Sequence, residues 1–216
     1  MNAAVQAMIG RPGRVVLPDE QAQGSAVGEA PERTTWPPGD LAIWIFILAE
    51  LAVFAIFFAA YAFARMGELE LFVAYQQTLD TNLALINTLA LITSSYFVVR
   101  AVGRIRIGDA GGCIRWLIGA LVLGGLFLGV KSLEYAHLFA EGVRLSTNTF
   151  YTFYLSLTFF HFLHVVMGMV ILAAVAVKAA QGHYGRGEHT GVETGASYWH
   201  MVDLVWLILF PLVYVM

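Results

Sequence analysis

"FYTFYLSLTFFHFLHVVMGMVILAAVAVKA", residues 150–179, runs for thirty positions with one formal charge, Lys178, near its far end. A helix needs about 20 mainly apolar residues to cross the hydrocarbon layer of a membrane. A barrel strand would instead alternate apolar and polar over about ten. The run is too long and too continuous for a strand and reads as a membrane-crossing helix. Working outward, four more segments meet the same criterion, at about 41–64, 79–102, 116–138 and 198–215. The expected fold class is therefore all-α integral membrane, a five-transmembrane-helix bundle, with a membrane domain over 39–216. No internal repeat suggests an inverted-repeat transporter.

Composition agrees. Hydrophobic residues make up 59% of the chain, charged residues 12%, and mean hydropathy is +0.71, against roughly 45 to 50% and about 25% in an ordinary soluble domain. Net charge is -3 and the pI about 6.0, so no general basic surface points to nucleic acid. Cys113 is the only cysteine, which excludes an internal disulfide, a CxxC redox pair and a thiolate zinc site within one chain. It reads as a small structural thiol near a helix start. Residues 1–38 hold Gly, Ala, Pro and scattered charges with no apolar run long enough for a signal peptide. They read as a flexible hydrophilic tail.

Ionisable groups inside a bilayer cost at least a few kcal/mol each, so each needs a partner or a purpose. Glu50 in "FILAELAVF" lies roughly 13 Å along the first span, near the membrane midplane, with no basic residue within a turn. Two readings stay open for it. It is a neutral acid hydrogen-bonded across a helix interface, or a group that faces a partner subunit or takes part in proton movement. In the second span Asn82, Asn87, Thr88, Thr93, Ser94 and Ser95 are side chains that hydrogen-bond between membrane helices. In "GVKSLEYAHLF", Lys131, Glu134 and His137 follow at i, i+3 spacing; Lys131 and Glu134 read as an interfacial ion pair, with the lysine close enough to the boundary to snorkel. His161 and His164 are three apart on the fourth span, and Glu193, His200 and Asp203 fall on one broad face of the last segment. A metal site over His161 and His164 with Glu193, His200 and Asp203 can be written. The plainer reading is a structural polar seam of His161, His164, Glu193, His200 and Asp203, satisfied by mutual hydrogen bonds.

"VKSLEYAHLF" (130–139), "STNTFYTFYLSLTFFHFLHVVMGMVIL" (146–172) and "HTGVETGASYWHMVDLVWLILF" (189–210) follow one another as in subunit III of haem-copper oxidases. The chain resembles that family in an E-Y pair at Glu134–Tyr135, an H-x-x-H-V-x-x-G helix from His161 to Gly168, and a final E-x-x-x-x-Y-W-H-x-V-D-x-V-W motif from Glu193 to Trp206. "INTLALITSS" and "ILAELAVFAIFFAAY" are similar to the family's preceding helices, so the resemblance runs from about Pro38 to the C-terminus. The long form of the family has seven helices, the first two splayed into a lipid-holding cleft; here the tail stands in their place. "PPGDLAIWIFILAELAVFAIFFAAYAFAR" resembles the short, NorE-type branch associated with bacterial nitric oxide reductase.

The resemblance implies an accessory, non-redox subunit of the bacterial inner membrane. It would contact a haem-copper catalytic subunit of a nitric oxide reductase or terminal oxidase, and membrane lipids. It implies no haem or metal in this chain, only in that partner, and no catalysis by this chain alone. It places Glu50 at the position of a membrane carboxylate that touches the catalytic subunit and is linked to proton uptake or oxygen entry. Two rivals come from other classes: a free-standing metallo- or haem protein using His161, His164, His200 and Asp203, and a proton or small-molecule carrier centred on Glu50.

Orientation follows from positive charge. With the N-terminus inside, Arg11, Arg14, Arg33, Arg100, Arg104, Arg106, Arg115, Lys178 and Arg186 lie on the cytoplasmic side, against Arg65, Lys131 and Arg144 on the periplasmic side. A phosphatase reporter fused after Met216 should therefore be active, since that enzyme folds only outside; an active cytoplasmic reporter at the same point reverses the orientation.

Overall fold

The computed structural model describes residues 41–216; the tail read over 1–38, and with it three of the arginines used for orientation, lies outside them. The chain forms α1 (Leu41–Gly67), α2 (Leu69–Gln76), α3 (Thr81–Arg106), α4 (Ala110–Ala140), α5 (Thr149–Ala180) and α6 (Thr190–Phe210). A π-helical turn, Pro211–Val215, continues α6. Among the described residues, five helices are long and apolar enough to cross a membrane: α1, α3, α4, α5, and α6 with its π turn. Each corresponds to one of the five segments read from the sequence.

The differences lie at the ends, and capping explains several of them. The Asp109 side chain accepts from the Gly112 amide, so α4 starts at Ala110, a turn and a half before the apolar run. Asp80 caps α3 through Leu83 N at 3.0 Å, and Asn148 caps α5 through Tyr151 N at 2.8 Å. Gly142 and Gly182 stop α4 and α5 at φ 83° and 78°, the left-handed turn that glycine takes without cost. α6 begins at Thr190, eight residues before the expected 198, and so takes Glu193 into its first turn. The eight-residue α2, "LELFVAYQ", was not expected, because it is too short for a span and lacks the length that makes an apolar pattern legible. Phe72 and Gln76 are its buried side.

α3, α4, α5 and α6 pack in a closed ring, each against two of the others, and α1 lies outside it against α6 and α5. In its most apolar window only 11% of α1 is buried inside the chain, against 50% for the last span. Apolar surface facing lipid carries no penalty, so a peripheral α1 is compatible with a stable fold. The ring closes tightly where α6 places Trp199, 1% exposed, between two glycines. A methyl at Gly124 of α4 would stand 2.9 Å from the indole, and one at Gly168 of α5 also 2.9 Å. Absence of side chains on both neighbours lets the ring lie against their backbones.

Several small polar side chains of α3 do bond between helices. Asn87 Nδ2 donates to Phe127 O of α4 at 3.3 Å, Ser94 Oγ to Ala120 O at 2.9 Å, and Trp206 Nε1 of α6 donates to Thr88 Oγ1 at 2.9 Å. Asn82 and Thr93, read the same way, are exposed instead, and Thr93 Oγ1 returns to Leu89 O on its own helix.

Gly168→Ala should lower stability by about 1–3 kcal/mol, the usual cost of overpacking a filled core. A depressed melting temperature of the detergent-purified protein checks it, with Gly129→Ala, which meets nothing within 4 Å, as the neutral control for space.

Candidate functional site

Three groups of ionisable side chains lie within the spans. The first joins α1 to α5. Glu50 Oε2 is 3.0 Å from His164 Nε2, and His164 Nδ1 is 2.8 Å from Phe160 O. A carbonyl only accepts, so Nδ1 carries a hydrogen. Nε2 and the carboxyl then share one proton, as acid and imidazole or as carboxylate and imidazolium. Phe54 and Phe160 wall the imidazole at ring-centroid distances of 5.2 and 4.6 Å. Glu50 keeps 20% of its side chain exposed, against 9% for the histidine. The partner that α1 itself does not supply thus comes from α5, and the open side of the pair is the glutamate.

The second group sits where α4, α5 and the π turn meet. Lys131 Nζ is 3.1 Å from Glu134 Oε2 and donates to Tyr154 OH at 3.3 Å and Tyr214 OH at 2.7 Å. Both phenols also donate to Glu134 Oε1, Tyr214 at 2.9 Å and Tyr154 in a short contact. The Tyr135 and Trp206 rings stand 5.2 and 5.6 Å from the ammonium. The expected Lys131–Glu134 pair is present, but the lysine does not snorkel. It is 1% exposed and fully enclosed, because two tyrosines remote in sequence give its ammonium inward partners and remove the reason to reach for water.

The third group divides the seam expected from sequence. Glu193 accepts from Arg106 Nε and Nη2 at 3.0 and 2.8 Å and lies 3.3 Å from His189 Nε2. His200 Nδ1 is 2.6 Å from Ser95 Oγ. The Arg106 and Ser95 bonds run from α6 to α3, whereas the histidines of α5 turn elsewhere, His164 to α1 and His161 into the core. Two residues three apart on a helix differ by about 60° in direction, enough to face different neighbours in a ring this small. Asp203 is buried on α6, with Oδ1 unbonded among the described residues. Among those residues no three His, Cys, Asp or Glu side chains converge as a metal-binding group.

Sequence reasoning missed Tyr154, Tyr214 and Arg106 as partners, and read Ser95 as bonding between helices without naming His200 as its partner. Arg106 had been counted only for orientation, and nothing in the local pattern distinguishes Tyr154 or Tyr214 from the other aromatic residues around them. The fold and these groups define a multi-pass helical membrane protein whose buried lysine, Lys131, is bonded within the bundle. The family model described as cytochrome c oxidase subunit III matches residues 39–216, and the chain belongs to that family.

Its relatives include cytochrome c oxidase subunit 3 of Synechocystis sp., 36% identical over 173 residues, 80% of this chain and 73% of that one. Quinol oxidase subunit 3 of Bacillus subtilis is 30% identical over 176 residues, 82% of this chain and 86% of its own. The haem-copper oxidase subunit I+III of Aeropyrum pernix is 31% identical over 189 residues, 83% of this chain and 23% of that longer one.

Lys131→Met should cost about 3–5 kcal/mol, because it leaves Glu134 without its cation. Lys131→Met with Glu134→Gln should recover part of that loss; thermal unfolding of the single and double variants measures the coupling.

Proposed function

We propose that this chain is an accessory, non-redox membrane subunit that packs against the haem-copper catalytic subunit of a respiratory complex in a bacterial inner membrane. It stabilises that subunit and supports proton or gas access to it. The observation that carries the reading is membership of the subunit III family over residues 39–216. The Aeropyrum pernix relative, whose name joins subunits I and III in one chain, supports side-by-side packing of the two in the membrane. The chain's own chemistry agrees: His164 and His200 are committed to Glu50 and Ser95, and Lys131 to Glu134.

Glu50 is the residue proposed to serve the partner. It stands on the peripheral helix and stays partly open. It also shares a proton with His164, which gives it something to exchange. Lipid contacts along the exposed face of α1 belong to the same reading, since most of that helix is uncovered within the chain.

For the partner's reaction, the names of the relatives favour oxygen reduction with cytochrome c or quinol as donor. The likeness of residues 37–65 to the NorE-type branch supports a second reading, nitric oxide reduction. Chain length does not separate them, because the Bacillus subtilis oxidase subunit, 86% of it aligned over 176 residues, is itself short.

Affinity purification of the tagged chain from mild detergent should bring down a haem-bearing catalytic subunit, whose oxidase or nitric oxide reductase activity then decides the branch. A stoichiometric haem or metal on the isolated chain would sink the accessory reading. Glu50→Gln keeps a hydrogen bond to His164 but cannot release a proton, so the complex should assemble at wild-type yield and turn over several-fold more slowly. Unchanged turnover would reduce Glu50 to a packing role. His200→Leu should show the reverse pattern, weaker assembly with near-normal turnover per assembled complex.

A further inference from the structure

His161 lies in the core of the bundle, 0% exposed, yet neither ring nitrogen makes a hydrogen bond to any described group. Its neighbours are aromatic: Trp206 at 5.0 Å between ring centroids, Phe127 at 5.8 Å and Phe54 at 6.4 Å. A neutral imidazole offers one N–H donor and one bare acceptor nitrogen. The face of an aromatic ring accepts an N–H weakly, but its C–H edges are poor donors to the bare nitrogen. The acceptor therefore remains unsatisfied by any protein group nearby.

A second orphaned atom occurs in the same part of the core. Asn87 of α3 donates through Nδ2 to Phe127 O, while its Oδ1, also buried, has no partner among the described residues. The adjacent Thr88 receives the Trp206 N–H, so Phe127 and Trp206 belong to the surroundings of both Asn87 and His161. Buried polar atoms left without protein partners are where globular interiors keep ordered water.

We propose that His161 is the centre of an internal hydration site, with water bonded to its imidazole beside Phe127 and Trp206. The location gives that water a role. Phe54 touches both His161 and His164, the partner of Glu50. Trp206 touches both His161 and the Lys131 ammonium. His161 is thus a polar stepping stone between the Glu50–His164 pair and the Lys131–Glu134 cluster, separated from each by one aromatic ring. The site is internal to this chain and independent of which partner it serves.

X-ray radiolysis makes hydroxyl radicals from water in place, and labels side chains next to bound internal water even when bulk solvent cannot reach them. In the purified native complex, His161, Phe127 and Trp206 should be oxidised several-fold faster than Phe72 and Phe150, which are equally buried and pack against each other and against tyrosine rings. Labelling at the level of those two controls would overturn the site. His161→Phe supplies a second reading with opposite signs. Loss of a hydrated imidazole lowers the melting temperature, whereas replacing a dry, unsatisfied one by an apolar ring of similar shape raises it; a rise would likewise count against the proposal.

Discussion

A lysine with no route to water is the condition around which one end of this bundle is arranged. Hydrocarbon offers an ammonium nothing, so Lys131 is tolerable only if protein groups replace its hydration shell. Glu134 supplies the charge and Tyr154 and Tyr214 supply oxygens, while aromatic faces surround the rest. Those partners come from α4, α5 and the π turn after α6. Satisfying one side chain therefore fixes three elements against one another, and the wide π turn makes sense as the device that brings Tyr214 round to the ammonium.

The opposite end of α6 is held by a different kind of bond. Arg106 ends α3 and Glu193 opens α6, so a cation at a helix C-terminus meets an anion at an N-terminus, the arrangement each helix dipole favours. This pair is half-exposed on the arginine side and contributes less than a buried one. Between the ends, Ser95–His200 and Thr88–Trp206 repeat the α3–α6 tie at intervals. Of the row that spacing along α6 suggested, Glu193 and His200 find partners on α3, while Asp203 Oδ1 has none among the described residues.

That difference marks how far sequence alone reaches in a membrane protein. Element number and type follow from hydrocarbon thickness, a constraint acting on each segment separately, so all five spans were legible. Glu50, Lys131 and Glu134 stood out because charge inside an apolar run is costly whatever surrounds it. Partner identity is another matter, because it depends on which helices are neighbours, and helices with apolar residues all round carry little periodicity to say so. Hence Glu50 and His164, 114 positions apart, could be suspected singly but not paired. α2 escaped notice for the opposite reason, since it is too short to obey the thickness rule that revealed the others.

The Glu50–His164 bond has a consequence for α1 that packing alone would not produce. α1 is the least enclosed of the spans, and apolar contact against α5 and α6 gives it no strong preference over lipid. A carboxyl in hydrocarbon, by contrast, gains substantially from a single directional partner, and the partner here is on the ring. One polar bond thus selects the rotation of α1 that turns Glu50 inward to His164, while Ile45, Leu48, Ile56 and Phe63 remain exposed. The face available to a partner chain or to lipid is in this way decided from inside the bundle, before anything docks on it. Any neighbour of Glu50 then meets a hydrogen-bonded pair already formed within this chain.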